Sequence, residues 1–438
     1  MMTLTVYQSN TTFHSTKKRM LMLLMLLILL HKPIAGLSST DPSVPINEAA
    51  MKLVEFCIDP EVGLDEHAIT VLVDHVLSPK QTREYALPKL LDSNGAYVEF
   101  DTKTTFPRFI EYSYNPLIPP VITRPSSLRY AIWSTPRSET QKLPASWEQV
   151  PPGGAPIVIQ GMQKESDTPN LDTGVYHEYN LKRTLILVNY KGRQVLISIS
   201  KQTDTSSVGK KGIILGKDED WNYYYSGEPG TMTTGLGWAK SYIYDFVSIG
   251  VYLETGTASS TVRSGVFQWL RAGWLGINFV KSTHILNGMR RFARDFRITL
   301  ESARLPAPLQ IISVYQGLSN IPPDDLIGKY AALQQALRSL AMRSGKISKS
   351  GGEKQGSFVN TPKEQMLQEL MLQYLKAALG KPTVLEKQSF LQRPCNNWKY
   401  RAARSIRNSC KVRNLWLWNN RASETVSAAE NLERMQEQ

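Results

Sequence analysis

Cysteine is scarce in this sequence, and its scarcity excludes one class of small exported protein. Three cysteines in 438 residues cannot form a dense disulfide scaffold. No apolar run reaches the roughly 20 residues of a membrane-spanning helix, and the charged (20%) and aromatic (9%) contents are those of an ordinary globular chain. The composition therefore excludes wholesale disorder and a polytopic membrane protein. The length suggests two or three domains.

The local motifs that name a reaction are also missing. There is no Gly-x-Ser-x-Gly nucleophile elbow, and residues 212–217 fall one residue short of a phosphate-binding loop. Asp172-Thr173-Gly174 matches the tripeptide of aspartic proteases, but it occurs once, and we interpret it as a turn. Two carboxylates brought together by folding leave no local signature, so the sequence does not decide whether the chain is an enzyme.

Histidine is also scarce, with six residues in the chain, and we expect neither a metal ion nor a cofactor. His67 and His75 could share a helix face, but eight residues separate them by about 12 Å along the axis, too far for one ion. The partial calcium-loop spacing of residues 218–222 fails at Tyr223, where such a loop requires glycine.

The first 38 residues have the three-part order of a secretory signal. Lys17, Lys18 and Arg19 precede the apolar run 20–30, and small residues follow at 35–39. As a helix, this run would rise about 16 Å, roughly half the thickness of a bilayer's hydrocarbon core. We interpret residues 1–38 as a signal peptide; an uncleaved anchor and a buried helix are the alternatives. The chain is therefore predicted to be exported to a periplasmic or extracellular location, with peripheral membrane association as one option.

The net charge of +13 is confined to two segments. Residues 1–38 carry four Lys or Arg and no acid, and residues 381–421 carry ten against the single Glu386. Because an exported protein does not normally meet nucleic acid, we expect no nucleic-acid partner. The basic C-terminal end would instead face anionic lipid, acidic polysaccharide or an acidic envelope protein. The alternative is a solvated segment that only keeps the chain soluble.

The basic C-terminal end also carries aromatic residues and two cysteines. The spacing of its arginines by three indicates an amphipathic helix, whereas a Cys395–Cys410 disulfide requires Cα atoms within about 7 Å. A continuous helix would place these cysteines about 22 Å apart, so we favour an interrupted helix with the disulfide. The residues predicted to contact an anionic surface are Trp398, Lys399, Arg401, Arg404, Arg407, Lys411 and Arg413.

Hydrophobic periodicity predicts an α+β fold with a mostly antiparallel sheet. The spacing of apolar residues changes from three or four to two after the N-terminal part, and prolines punctuate the short apolar runs that follow. The predicted segments are a short helical lead-in (39–91), an α+β domain (92–343, with its sheet at 92–255 and helices at 266–343), a flexible linker (344–360) and a helical, basic C-terminal region (361–438).

Several individual elements are predicted within these segments. Residues 184–189 and 194–200 should form a hairpin around Lys191-Gly192, and alternation over 241–253 indicates a strand covered on both faces. A third lead-in helix is expected to begin at Ser78-Pro79. Two helices are expected between 266 and 304, and one from Thr361-Pro362 to Gly380.

Residues 217–230 concentrate acidic and aromatic side chains. Flat rings cover the apolar face of a sugar while carboxylates accept its hydroxyl hydrogens, so this segment is the candidate recognition surface. A Trp/Tyr cluster packed over the sheet is the alternative. The candidate ligand-binding residues are Asp218, Asp220, Trp221, Tyr223, Tyr224, Tyr225 and Glu228.

Two smaller groups have ordinary structural interpretations. The arginines at 290, 291, 294 and 297 are interpreted as a solvated helix face, with an anion or headgroup site as the alternative. Cys57 lies on an apolar helix face and is predicted to be a buried thiol.

These features favour a non-catalytic exported protein that binds to, or is structural in, the cell envelope. The alternative is an exported hydrolase acting on polysaccharide or another envelope polymer. Its acids would be drawn from Asp218, Glu219, Asp220, Glu228, Asp245 and Glu254. A further prediction is self-association through a coiled-coil-like seam. That seam consists of Leu326, Tyr330, Leu333, Leu337 and Leu340.

Overall fold

A nine-stranded antiparallel sheet forms the centre of an α+β fold. The computed structural model describes residues 43–134, 149–171, 173–233, 237–255, 260–347 and 358–385. The helices of this part are α1 (Ser43–Ile58), α2 (Glu66–Leu77), α3 (Phe106–Tyr114), α4 (Ser282–Leu300), α5 (Pro308–Ser319), α6 (Pro323–Arg343) and α7 (Lys363–Leu379).

Most strands belong to the main sheet. They are β1 (Glu84–Leu90), β2 (Ser93–Thr102), β3 (Leu128–Ser134), β4 (Ile157–Asp167), β6 (Glu178–Tyr190), β7 (Arg193–Gln202), β12 (Tyr242–Glu254), β13 (Val262–Trp274) and β14 (Ile277–Asn278). There are two smaller sheets. The first contains β5 (Val175–Tyr176), β8 (Lys210–Ile214) and β9 (Tyr223–Pro229). The second contains β10 (Thr231–Thr233) and β11 (Gly237–Ala239).

The order of the main sheet is β1-β2-β13-β12-β7-β6-β4-β3, with β14 paired to β13. The predicted hairpin is confirmed: β6 and β7 pair from Leu181 with Gln202 up to Tyr190 with Arg193. Lys191 and Gly192 turn the chain with φ of 52° and 79°, the left-handed values that a two-residue hairpin turn requires. The predicted strand at 241–253 is confirmed as β12.

Helices cover both faces of this sheet. On β7, Val195, Ile197 and Ile199 pack with α1 and α2, whereas Leu196 belongs to the core under α3, α4 and α5. Because successive side chains of a strand point to opposite faces, both cores draw on the same strands. The Cys57 thiol is buried in the first core, as predicted.

Helix α7 is buried on all its sides between residues 365 and 376. The Gln368 amide accepts from the N–H of Ala131 at 3.0 Å and donates to its carbonyl at 2.7 Å, and so completes the outer edge of β3. Glu369 accepts from Arg129 at 2.7 Å. The helix predicted to end at Gly380 is confirmed, and it packs against β3.

The prediction of a third helix in the N-terminal lead-in is wrong. Ser78 instead caps the end of α2, and residues 84–90 form β1, so the sheet begins before residue 92. Pro88 lacks the N–H that a central strand needs, but β1 is an edge strand whose register shifts between Leu87 and Leu90. Asn47 of α1 donates to the carbonyl of Lys89 at 3.2 Å and covers part of this edge.

The first of the two helices predicted over 266–304 is also wrong, because residues 262–274 form β13. This strand lies between β2 and β12 and carries apolar side chains on both faces: Phe267 and Trp269 toward α1 and α2, Val266 and Leu270 toward α4. Burial on both faces removes the period-two pattern, so the spacing resembled a helix. The second helix is confirmed as α4.

The coiled-coil-like seam is occupied within the chain. Leu326, Tyr330, Leu333 and Leu337 are buried, and they pack in one cluster with Met366, Leu367 and Leu370 of α7. Leu340 is partly buried against the same cluster. Self-association through this helix stays a prediction.

None of the helices in the described ranges combines the length and hydropathy needed to cross a membrane. The predicted signal peptide, most of the linker and the basic segment after residue 385 lie outside those ranges.

Candidate functional site

A cavity of about 330 Å³ lies on the α3 side of the sheet, at its β3 edge. Strands β3, β4 and β6 form its floor, the end of α3 and residues 115–124 form a wall, and α5 and α7 close it. Its volume is within the range of small-molecule sites. The lining residues are Ser113, Tyr114, Asn115, Pro116, Ile118, Pro119, Pro120, Arg124, Ala131, Ile132, Trp133, Gln163, Arg183, Leu185, Tyr315, Glu364 and Gln368.

Three hydrogen-bond donors on these lining residues are buried without a partner among the described residues. They are Nε of Arg183, Nε1 of Trp133 and Oγ of Ser113. Arg183 is only 9% exposed; its Nη1 donates to Gln163 and its Nη2 donates to Ser198 at 3.3 Å. A buried donor without an acceptor costs free energy. Because these residues line the cavity, a ligand that supplies acceptor oxygens would satisfy the donors once the side chains turn toward it.

Positive charge exceeds negative charge around Arg183. Oε1 of Glu165 lies 3.2 Å from Nη1 of Arg124 and 3.9 Å from Nη1 of Arg183, so one carboxylate faces two guanidinium groups. Burial, and secondly the charge of Arg124, lower the pKa of Arg183. An anion bound beside Arg183 would relieve both penalties.

The register of the strands places these residues together. Trp133 on β3 pairs with Gln163 on β4, and Gly161 on β4 pairs with Arg183 on β6. Alternate residues of a strand share a face, so all four lie over the same part of the sheet. Gly161 is required here: a Cβ on it would lie 2.5 Å from Cζ2 of Trp133, whose ring crosses this position.

The rest of the cavity is mostly apolar; its polar side chains are Asn115, Gln368, Tyr315 and Glu364. Ile118 and Leu185 are buried there, and prolines line the adjacent wall. Glu364, in the first turn of α7, accepts a 2.5 Å hydrogen bond from the hydroxyl of Tyr315. The cavity therefore combines two arginines, an apolar part and a carboxylate that is already hydrogen-bonded.

The predicted recognition surface of residues 217–230 lies largely inside the fold. Trp221, Tyr223 and Tyr224 are buried, and Tyr225 lies under the guanidinium of Arg129, whose carbon is 3.8 Å from its ring centre. Residues 223–229 form strand β9 rather than a loop. Buried rings offer no open face to a sugar, so the packed-cluster alternative describes these residues better.

The acids of this segment are already paired. Asp218 contacts Arg291 and Arg294, each at 2.7 Å, and Glu219 contacts Arg294 at 2.8 Å. Burial acts to raise the pKa of Asp218, but the two arginines outweigh it and hold that pKa below its ordinary value. The interpretation of the α4 arginines as a solvated face is therefore wrong for Arg291, which is mostly buried.

The other acids proposed for hydrolysis also face structural partners or lie apart. Asp220 accepts from the N–H of Lys217, and Glu228 pairs with Lys211 at 2.5 Å. Asp245 contacts Lys201 and accepts from Ser93 at 3.3 Å, and Glu254 ends β12. None of these acids, all within the described residues, lines the cavity.

One buried group resembles the residue set of a serine hydrolase. Nδ1 of His177 lies 3.6 Å from Oδ2 of Asp167, and a Cβ on Gly209 would collide with both Nε2 of His177 and Oγ of Ser241. These three residue types form a known catalytic triad. Oγ of Ser241 and both ring nitrogens of His177 are buried, however, and none of the three residues lines the cavity, so the group has no space beside it for a substrate.

Within the described part of the chain, no group of three or more His, Cys, Asp or Glu side chains could hold a metal ion. Nε2 of His75 lies 2.7 Å from the hydroxyl of Tyr85.

Residues 395–413, with the predicted disulfide and anionic-surface contacts, lie outside the described ranges.

The cavity residues were not identified from the sequence. Ser113, Arg124, Trp133 and Arg183 come from separate elements and form no local motif. One signal was present in the sequence. Arg183 falls on a strand face that otherwise carries Leu181, Leu185 and Leu187, and a charged residue on such an apolar face indicates a buried polar partner or a ligand. No protein-family model matches this chain, and no curated protein is significantly similar to it.

Proposed function

We propose that this chain is a non-catalytic binding protein that holds a small carboxylate with an apolar body in the cavity beside α3. The observation that carries the proposal is Arg183: a buried cation whose Nε has no partner and whose nearest carboxylate, Glu165, is shared with Arg124. A carboxylate accepts charge-assisted hydrogen bonds from guanidinium groups, and such bonds are about twice as strong as neutral ones.

The other donors and the apolar lining define the rest of the ligand. The indole N–H of Trp133 and the hydroxyl of Ser113 would donate to its oxygens, and Ile118 and Leu185 would contact its hydrocarbon part. Glu364 is already engaged by Tyr315, which favours an uncharged ligand body beside these two residues.

The hydrolase alternative has less support. Of its candidate acids, Asp218, Glu219 and Asp245 form ion pairs with arginine or lysine, and none lies in the cavity. A paired carboxylate must break its ion pair before it can act as an acid or nucleophile, at a cost in free energy. Export, and contact of the basic C-terminal end with an anionic surface, stay predictions from the sequence.

The proposal is tested by titrating the full chain with acids and their uncharged counterparts. Suitable probes are hexanoate, benzoate and 3-phenylpropionate, each beside its primary amide, in isothermal titration calorimetry. We expect each acid to bind at least about tenfold more tightly than its amide, because the acid alone forms charge-assisted hydrogen bonds. Equal binding of acid and amide, or no binding by any of the six compounds, would contradict the proposal.

Two variants link the binding to the cavity. Trp133→Phe removes the N–H together with part of the ring, and should weaken binding of the tightest acid about three- to tenfold. Arg297→Gln removes a cation from the exposed side of α4 and should leave the affinity unchanged. If Arg297→Gln weakens binding as much as Trp133→Phe does, the effect is general electrostatics and not the cavity.

A further inference from the structure

The turn between β13 and β14 exposes a group of large apolar side chains, which we call the hairpin tip (residues 274–279). Leu275 is 87% exposed, Ile277 54% and Phe279 41%. The ring of Trp274 stacks on Phe279 with ring centres 3.8 Å apart. Scattered exposed apolar residues need no explanation, but three of them within six residues, beside the partly exposed Trp274, form a surface.

The hairpin tip projects from the end of the sheet. Strand β2 follows β13 only as far as the pair Asn94 and Leu270, and β12 only as far as Tyr242 and Gly273. Beyond these pairs, Trp274 pairs with Ile277 of β14. The apolar side chains therefore lie past the last strand neighbours and are not the edge of a core.

The backbone holds the hairpin tip in a fixed shape. The N–H of Gly276 donates to the hydroxyl of Tyr244 at 2.8 Å, and the N–H of Phe279 donates to the carbonyl of Ala272 at 2.9 Å. Asn94 donates to the carbonyl of Val280 at 2.6 Å. The exposed side chains are therefore displayed on an ordered support, which reduces the entropy lost when they bind.

The residue choice at the turn opposes stability in water. Leu275 has a φ of 52°, a conformation that favours Gly, Asn or Asp over a branched aliphatic residue. The β6–β7 turn has nearly the same φ values but uses the polar Lys191. Leu275 thus sits where both its backbone and its exposure cost free energy, which points to a use outside the fold.

Charge around the hairpin tip is positive. Between residues 268 and 283 the charged residues are Arg271 and Lys281, and Lys240 is exposed just before β12. Asp92, in the β1–β2 turn at the same end of the sheet, offsets part of this charge; Leu91 in that turn is exposed too. The acid within β12, Asp245, is paired with Lys201.

We propose that the hairpin tip inserts into the headgroup region of an anionic lipid bilayer. Trp and Phe rings with adjacent leucine and isoleucine bury in the interface, while flanking Lys and Arg reach the phosphates. The hairpin tip shares no residue with the cavity and consists of described residues only.

The test compares vesicle binding of two full-length variants. Leu275→Asn removes the apolar side chain and suits the positive φ, so it should fold at least as well as the wild type. The matched control is Leu309→Asn, which removes a 73% exposed leucine from the first turn of α5. Partitioning is measured by flotation with vesicles of phosphatidylcholine alone and of phosphatidylcholine with phosphatidylglycerol.

We expect Leu275→Asn to lower the partition coefficient on anionic vesicles about tenfold, the effect of one buried leucine, and Leu309→Asn to leave it unchanged. Weaker binding of the wild type to phosphatidylcholine alone is also expected. Equal binding of the two variants would overturn the proposal. So would a change in oligomeric state of Leu275→Asn without a change in vesicle binding, which would assign the hairpin tip to a protein interface.

Discussion

Nη1 of Arg183 lies 3.9 Å from Oε1 of Glu165, the same oxygen that accepts a 3.2 Å hydrogen bond from Arg124. Glu165 is buried, and its other oxygen accepts from the hydroxyl of Tyr179 at 3.3 Å. One carboxylate therefore serves two cations on a buried sheet face. A bound carboxylate would supply the second negative charge that Arg183 and Arg124 together lack.

Glu165→Gln should change stability and affinity in opposite directions. Without the carboxylate, two guanidinium groups face each other uncompensated, and the free energy of unfolding should fall by about 2 kcal/mol. The affinity for the tightest acid probe should rise several-fold, since the ligand no longer competes with Glu165 for Arg183. Urea unfolding and calorimetric titration measure the two effects. A loss of affinity would place the ligand elsewhere or give Glu165 a direct role in holding it.

Gly161→Ala should damage the cavity without altering a polar group. The added Cβ collides with the Trp133 ring, so unfolding free energy should fall by about 1–3 kcal/mol, and acid binding should weaken. Gly288, inside α4 with nothing within 4 Å of an added Cβ, is the control. Gly288→Ala should stabilise the chain by about 0.5–1 kcal/mol. Equal effects of the two substitutions on acid binding would contradict the position assigned to Trp133.

Gln368→Met should destabilise the fold more than an exposed glutamine substitution does. It leaves both the N–H and the carbonyl of Ala131 without their buried partner, at a cost of about 2–4 kcal/mol. Gln335→Met, exposed on α6, should change unfolding free energy by less than about 0.5 kcal/mol. Urea denaturation of both variants measures the two changes in unfolding free energy. Similar small decreases for the two variants would mean that water replaces the Gln368 amide and would contradict the prediction.

Lys376 should make stability rise with pH above neutrality. Burial lowers its pKa from 10.5 to about 7, and its ammonium donates to the side chain of Asn222. Between pH 7 and 10.5 the unfolded chain binds a proton that the folded chain does not. Stability at this site therefore rises with pH in that window, by up to about 1.4 kcal/mol per pH unit.

Lys376→Met removes this proton, so the difference in unfolding free energy, wild type minus variant, should grow from pH 7 to pH 10. Urea unfolding at several pH values measures it. Lys329→Met, exposed on α6, is the control and should give a constant difference. A constant difference for Lys376→Met as well would mean that water or a rearrangement solvates the buried amine.

The sequence predicts elements whose signals are local. The β6–β7 hairpin follows from alternation around Lys191-Gly192, and the end of α7 follows from Gly380, whose φ is 76°. Strand β13 is missed because helices on the two sides of the sheet bury both of its faces. Pro88 similarly hides β1, since the sequence does not reveal that this strand lies at an edge.

The sites depend on residues that only folding brings together. Asp218 and Arg291 are 73 positions apart, so two segments interpreted as separate surfaces turn out to be one ion-paired cluster. Strand register brings Trp133 and Arg183 to the same part of the sheet, and periodicity does not fix that register. Charged residues on apolar strand faces, such as Arg183, are the clue that a sequence retains.

The indole N–H of Trp133 offers the most direct test of the cavity. In a ¹⁵N-tryptophan-labelled full chain, the resonance absent from Trp133→Phe identifies this group among the nine tryptophans. Upon addition of the tightest-binding acid probe, that resonance should move downfield with saturation, as expected for a new hydrogen bond to a carboxylate. If the Trp133 resonance stays in place while another indole moves, the ligand binds elsewhere and the proposed site is contradicted.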